Sequence, residues 1–178
     1  VRRISELMSY FTVMVFLFSC ASKPIAPAVY SYEEKAITVH LKADPQLNLY
    51  QDLSHTILLC IYQLRDPNAF NQLREDYSGL TKLLECEPFD ASVVSTKRVF
   101  VQPNEESSLD LDRGEGAKYV GVVAGYYQLQ KENASLVRQI QEKEYTRGWF
   151  RKTTVRKVDK LNMDLFLGPQ TMQELGGK

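Results

Sequence analysis

From Ala36 onward the apolar positions of the chain recur mostly every second residue, with one interruption where the period becomes helical. Ile37, Val39 and Leu41 alternate with polar partners, the pattern of a strand with one buried face. Residues 44–55 break the pattern with Asp44-Pro45 and Asn48. A connection of that length is uncommon in compact domains and is often functional. Thr56 to Leu64 is nearly continuously apolar, as a central strand covered on both faces would be. Beyond Asp66-Pro67-Asn68, Phe70, Leu73, Tyr77, Leu80 and Leu84 fall three or four residues apart, so residues 68–86 read as one or two amphipathic helices, with Gly79 arguing against a single unbroken one. Period two then returns in Val93 to Val101, and again in Leu109 and Leu111 between Asp110 and Asp112. Tyr119 to Leu129 reads as a buried strand, with Tyr126 and Tyr127 as ordinary sheet residues. Residues 131–144 fit a short helix or a loop equally well, and Trp149 to Val158 fits a strand. Leu161, Met163, Leu165 and Leu167 form the clearest alternation, which Gly168-Pro169 ends. About seven short strands with one helical insertion imply a mainly β protein, an antiparallel β-sandwich over residues 36–168, with residues 169–178 as a frayed tail.

The first twenty residues have a different character. Arg2 and Arg3 precede a run from Met8 to Phe18 interrupted only by Ser9 and Thr12. A basic start followed by a short apolar run has the proportions of a secretory signal and is too short to span a bilayer comfortably. The run ends at Leu17-Phe18-Ser19-Cys20, which resembles a bacterial lipobox. This predicts a signal peptide over 1–19 and lipidation at Cys20, with diacylglycerol on sulfur and a palmitate-type acyl chain on nitrogen. Ala21, where such lipoproteins can carry Asp, implies sorting to the outer membrane. Residues 20–35, rich in Pro, Ala and Ser after the cysteine, then read as a flexible tether. With Cys20 removed from the count, Cys60 and Cys86 form an even pair in an oxidising compartment, where a disulfide is permitted. The alternative is that Cys60, between Leu59 and Ile61, is a buried small hydrophobe.

Composition narrows the function classes. Among 178 residues, Lys+Arg 22 balance Asp+Glu 22, which gives no support for a nucleic-acid binder needing a basic surplus. The charge is unevenly placed, however. Residues 104–116 hold five acids and one arginine, while residues 138–160 hold eight Lys or Arg against three acids. The basic stretch reads either as solvated strand faces or as a contact for an acidic partner or anionic headgroups. His40 and His55 lie in no metal-ligand spacing and beside no nucleophile motif, so neither catalytic residues nor a metal site nor a cofactor is expected. The loop of residues 44–55 is the best candidate site. Leu47, Leu49 and Tyr50 stand there with Asn48, as a partner-binding loop would require, although Leu47 or Leu49 could equally cap the end of the sandwich.

The order of elements resembles the TssJ (SciN) family of outer-membrane lipoproteins of bacterial type VI secretion systems. The residues that carry the resemblance are ADPQLN after the first strand, ILLCIYQL with its Tyr62-Gln63-Leu64 ending, DPNAFNQL followed by EDYSGLTKLL, and YVGVVAGYYQL. After Leu129 the chain departs from the family, having Asn133-Ala134-Ser135-Leu136 where a Trp-Arg pair is usual. The resemblance implies a transthyretin-like antiparallel β-sandwich with a short helical insertion. It further implies a non-enzymatic, outer-membrane-anchored role on the periplasmic face. There the loop carrying Leu47, Asn48, Leu49 and Tyr50 would hold the C-terminal periplasmic region of TssM, and through it TssL, in a complex with multiple copies. A periplasmic ligand-carrier or envelope-stress lipoprotein with the same fold is the competing expectation. An apolar pocket between the sheets would favour it.

Overall fold

In the computed structural model the residues described are 27–147 and 153–176. The signal peptide and the lipidated Cys20 expected above lie outside them, as does Trp149. Two four-stranded sheets face each other across one core. The first has the order β10-β9-β1-β4, built from β1 (Glu33–Ala43), β4 (Glu106–Arg113), β9 (Leu161–Leu167) and β10 (Met172–Glu174). The second has the order β3-β2-β5-β6, built from β2 (Ile57–Leu64), β3 (Val93–Val101), β5 (Tyr119–Ala124) and β6 (Ser135–Gln139). Ile37, Val39, Leu41, Ile57, Leu59 and Ile61 meet between the sheets and are fully buried. The expected sandwich is therefore present and mainly β. No helix among the described residues is long and apolar enough to cross a membrane.

The near-continuous apolar run of β2 reflects burial on both faces. Ile57, Leu59 and Ile61 point into the sandwich, whereas Cys60, Tyr62 and Leu64 point outward under the helical insertion. That insertion is two short helices, α1 (Asn68–Leu73) and α2 (Tyr77–Leu83). Asp76 caps α2, its carboxylate accepting from the Gly79 amide at 2.8 Å. Gly79 is where the helices touch: a Cβ there would lie 1.9 Å from the Leu73 carbonyl oxygen. Phe70 lies over Gly121 of β5, where a Cβ would come within 2.8 Å of its ring. Tyr62 donates to the Leu83 carbonyl at 2.6 Å, and burial pushes its phenol up to about 12. Cys60 on β2 is joined to Cys86 just beyond α2 by a disulfide, with Cα atoms 5.2 Å apart. Gln63 points the other way and ties the sheets together. Its amide donates to the Asp112 carbonyl and accepts from the Gly114 amide, both at 2.8 Å.

Several boundaries differ from the expectation. The pairing is not purely antiparallel, because β1 runs parallel to β9. β9 enters at the end where β1 begins, since the connection from β6 crosses from one sheet to the other there. Residues 30–35 belong to the fold and not to the tether: Tyr30 is buried and β1 starts at Glu33. The tail is not frayed throughout, because Met172 to Glu174 pair with β9 and Met172 is buried. The strand expected to reach Leu129 stops at Ala124, and the ambiguous stretch resolves into a single turn of helix, α3 (Lys131–Ala134), leading into β6. A further two-stranded ribbon, β7 (Glu142–Arg147) with β8 (Thr153–Val158), belongs to neither sheet.

Candidate functional site

The loop between β1 and β2 sits at one end of the sandwich, beside the β5–α3 and β9–β10 connections. It is held by backbone hydrogen bonds: Leu49 N donates to Pro169 O at 2.7 Å, and His55 N to Leu47 O at 2.9 Å. Tyr50 and Leu53 exchange amide and carbonyl bonds at 2.9 and 3.0 Å around Gln51 and Asp52. Both of these residues have positive φ, 51° and 61°, the signature of a tight hairpin turn built without glycine. Left-handed backbone at two non-glycine residues costs on the order of 1 kcal/mol each, and such outliers cluster at functional sites.

The four residues proposed from sequence separate into two groups. Leu47 is fully buried in the sandwich core, so it caps the end of the fold and is not a contact residue. Asn48 is also buried, at 4% exposure. Its side-chain oxygen accepts the Tyr127 amide at 3.0 Å, which makes it a clamp between two loops. An apolar leucine and an amide able to satisfy a neighbouring backbone group both gain more inside than in water. Leu49 is half-buried and Tyr50 is exposed. Tyr50 stacks on Tyr127 with ring centroids 4.4 Å apart and planes 15° from parallel, and His55 meets the Tyr127 ring edge at 5.0 Å. Leu53, at the tip, is 64% exposed. The result is a pre-ordered aromatic step with an aliphatic tip. It opens beside a groove of about 550 Å³ lined by Leu58, Tyr77, Leu84, Phe100 and Leu129.

Sequence reasoning missed Tyr127, Leu53 and Phe100 as parts of this surface. No local period marks Tyr127, because β5 ends at Ala124 and strand alternation does not reach the Tyr126-Tyr127 pair. Tyr126 is the inward one. Its buried hydroxyl has no hydrogen-bond partner among the described residues, and burial pushes its phenol upward. Among the described residues no three His, Cys, Asp or Glu side chains gather as a metal site would require.

This arrangement of a helix-covered sandwich with a structured loop after its first strand has counterparts among known proteins. A family model described as T6SS-SciN, type VI secretion lipoprotein, VasD, EvfM, TssJ, matches residues 35–169. The chain belongs to this family. It is a family of secretion lipoproteins, not of enzymes. Solved structures with the same fold include Serratia marcescens Lip, described as a membrane-bound component of the type VI secretion system. Its TM-score is 0.62 at 18% identity, covering 83% of this chain and 99% of that one. The lipoprotein TssJ1 from Pseudomonas aeruginosa superposes with a TM-score of 0.58 at 20% identity, covering 83% and 97%. A chain in a structure described as the T6SS protein TssM C-terminal domain (869-1107) from EAEC gives 0.58 at 18% identity, covering 79% and 98%. At these identities the likeness is one of fold. No curated protein matches the chain by sequence.

Proposed function

We propose that this type VI secretion lipoprotein is anchored in the outer membrane through lipidated Cys20, facing the periplasm, and that its β1–β2 loop holds the C-terminal periplasmic region of TssM. Through TssM it would connect to TssL, with several copies in the assembled complex. The observation that carries this reading is the exposed step of Tyr50 on Tyr127 with Leu53 at its tip. Aromatic and aliphatic anchors of this kind dominate binding energy when a partner covers them. Membership of the secretion lipoprotein family supports it, as does the TssM domain named in the description of a structure with the same fold. The ligand-carrier alternative loses support, because side chains fill the space between the sheets.

Calorimetry against a TssM periplasmic fragment tests the loop. Tyr50→Asp combined with Leu53→Asp should weaken binding by about a hundredfold or more while leaving the thermal midpoint within error of wild type. Unchanged affinity in a folded double variant rejects the loop assignment. Fractionation tests the anchor: Cys20→Ser should leave the outer membrane and abolish secretion, and retention there with secretion intact rejects it.

A further inference from the structure

The β7–β8 ribbon is a two-stranded arm outside both sheets, and an isolated pair of strands is at best marginally stable in water. Its register sorts its side chains onto two unlike faces. One carries the Glu144–Arg156 pair and Thr146 opposite Thr154. The other sets Lys143 directly opposite Lys157 and Tyr145 directly opposite Val155, with no acid among these four positions. Like charges facing one another across a strand pair are unfavourable unless an anion lies between or above them. Lys143 reaches Asp159 beyond the end of β8, whereas Lys157 makes no ion pair among the described residues. Tyr145 and Val155 are both exposed.

The ribbon's base fixes where this face lies. Tyr30 donates to the Ile140 carbonyl at 3.0 Å, Asp159 N donates to Gln141 O at 2.8 Å, and Arg113 donates to both the Ser31 and Asp159 carbonyls. The arm therefore springs from the point at which the chain enters the fold, at the end of β1 opposite the β1–β2 loop. Ten residues separate Tyr30 from Cys20, a span of about 35 Å at full extension, against an arm of about 20 Å. The acids at this end are largely engaged: Glu33 pairs with Arg113, Glu115 accepts the Tyr32 amide, and Asp112 accepts the Tyr32 hydroxyl and the Lys35 amide.

We propose that the face bearing Lys143, Tyr145, Val155 and Lys157 rests on the anionic headgroups of the bilayer that holds the lipid anchor, turning the β1–β2 loop away from the membrane. The proposal rests on the anchoring at Cys20. Lysine ammonium groups would pair with lipid phosphates while their stems and the tyrosine ring lie at the apolar boundary, as interfacial side chains do.

Hydrogen exchange of the intact lipidated protein tests this, in vesicles of phosphatidylethanolamine alone and in vesicles containing one quarter phosphatidylglycerol. On the anionic vesicles the β7–β8 amides should slow by roughly thirtyfold, an effect of two lysines that high salt removes. Lys143→Glu with Lys157→Glu should abolish the difference, while Lys143→Arg with Lys157→Arg keeps it. Equal exchange on the two vesicle types overturns the proposal. So does protection that rises with protein concentration without vesicles, which would make a second copy the occupant. A wild-type chain that floats with neither vesicle type overturns the anchoring reading, and this proposal with it. Flotation on both vesicle types without selective protection overturns the ribbon contact alone.

Discussion

The two ends of the sandwich solve opposite problems. At the β1–β2 end the exposed step is aromatic and aliphatic, with Asp52 in its turn, and it is shaped by backbone strain. Gln51 and Asp52 take left-handed conformations so that Tyr50 and Leu53 close a turn, and Asn48 is used up in holding Tyr127 beneath Tyr50. At the other end the polar groups are densely bonded. Arg113, only 2% exposed, gathers the Ser31 and Asp159 carbonyls and the Glu33 carboxylate, and so locks chain entry, ribbon base and β4 together. The first end leaves apolar area exposed. The second consumes many of its polar groups internally, and the ribbon extends from it. Exposed apolar side chains gain from desolvation, whereas a junction between chain segments gains from directional bonds.

If that contrast is right, the ends should fail independently. The largest effect is expected at the bonded end. Arg113→Met should lower stability by about 4 kcal/mol in urea titration, because two carbonyls and a carboxylate lose a buried donor. Exchange at the ribbon should rise, while TssM-fragment affinity of the remaining folded protein holds. A parallel loss of affinity would join the two ends into one unit. Between the ends, Cys60→Ala with Cys86→Ala should cost about 3 kcal/mol by freeing the loop of the helical insertion, again without touching either surface. Mass analysis after alkylation without reduction should find both thiols blocked in the native protein.

A smaller effect separates the helical layer from the ends by pH. The Tyr62 phenol is held at about 12 in the folded state against an ordinary 10.0, chiefly by burial. The protonated form is favoured in the fold, so this contribution is intact below pH 10 and is lost as pH rises from 10 to 12, a change on the order of 2 kcal/mol. Tyr62→Phe should flatten that alkaline slope in denaturation curves, and an unchanged slope would assign it elsewhere. The smallest effect is at the loop. Asn48→Gly keeps the left-handed backbone but removes the acceptor for Tyr127 N, costing about 1 kcal/mol. Partner affinity should fall about tenfold as the aromatic step loosens, which calorimetry would read.

Most of the strands could be read from alternation. β1, β2, β3 and β9 each have one period-two face or a run buried on both, and such patterns follow from the pleat itself. The paired helices were visible in the spacing from Phe70 to Leu84, with Gly79 marking their contact. The site was only half legible. Residues 44–55 stood out by length and content, yet nothing local says that Leu47 and Asn48 turn inward while Tyr50 turns out. That depends on Gly168, Pro169 and Tyr127, which are distant in sequence and supply the loop's hydrogen-bond partners. The disulfide was undecided for the same reason: spacing permits a bond, and only packing brings the two Cα atoms within reach.

By itself the sequence determined the class of fold, the helical interruption, the family resemblance and the uneven distribution of charge, since each is written in composition or in a local period. Tertiary structure alone decided that β9 runs parallel to β1, that the tail adds a strand, and that residues 142–147 and 153–158 pair as a ribbon outside both sheets, with Lys143 opposite Lys157, at the end where the chain enters. Those features depend on register between distant segments. A one-residue slip reverses every side chain in a strand, and only the full set of partners selects among the alternatives.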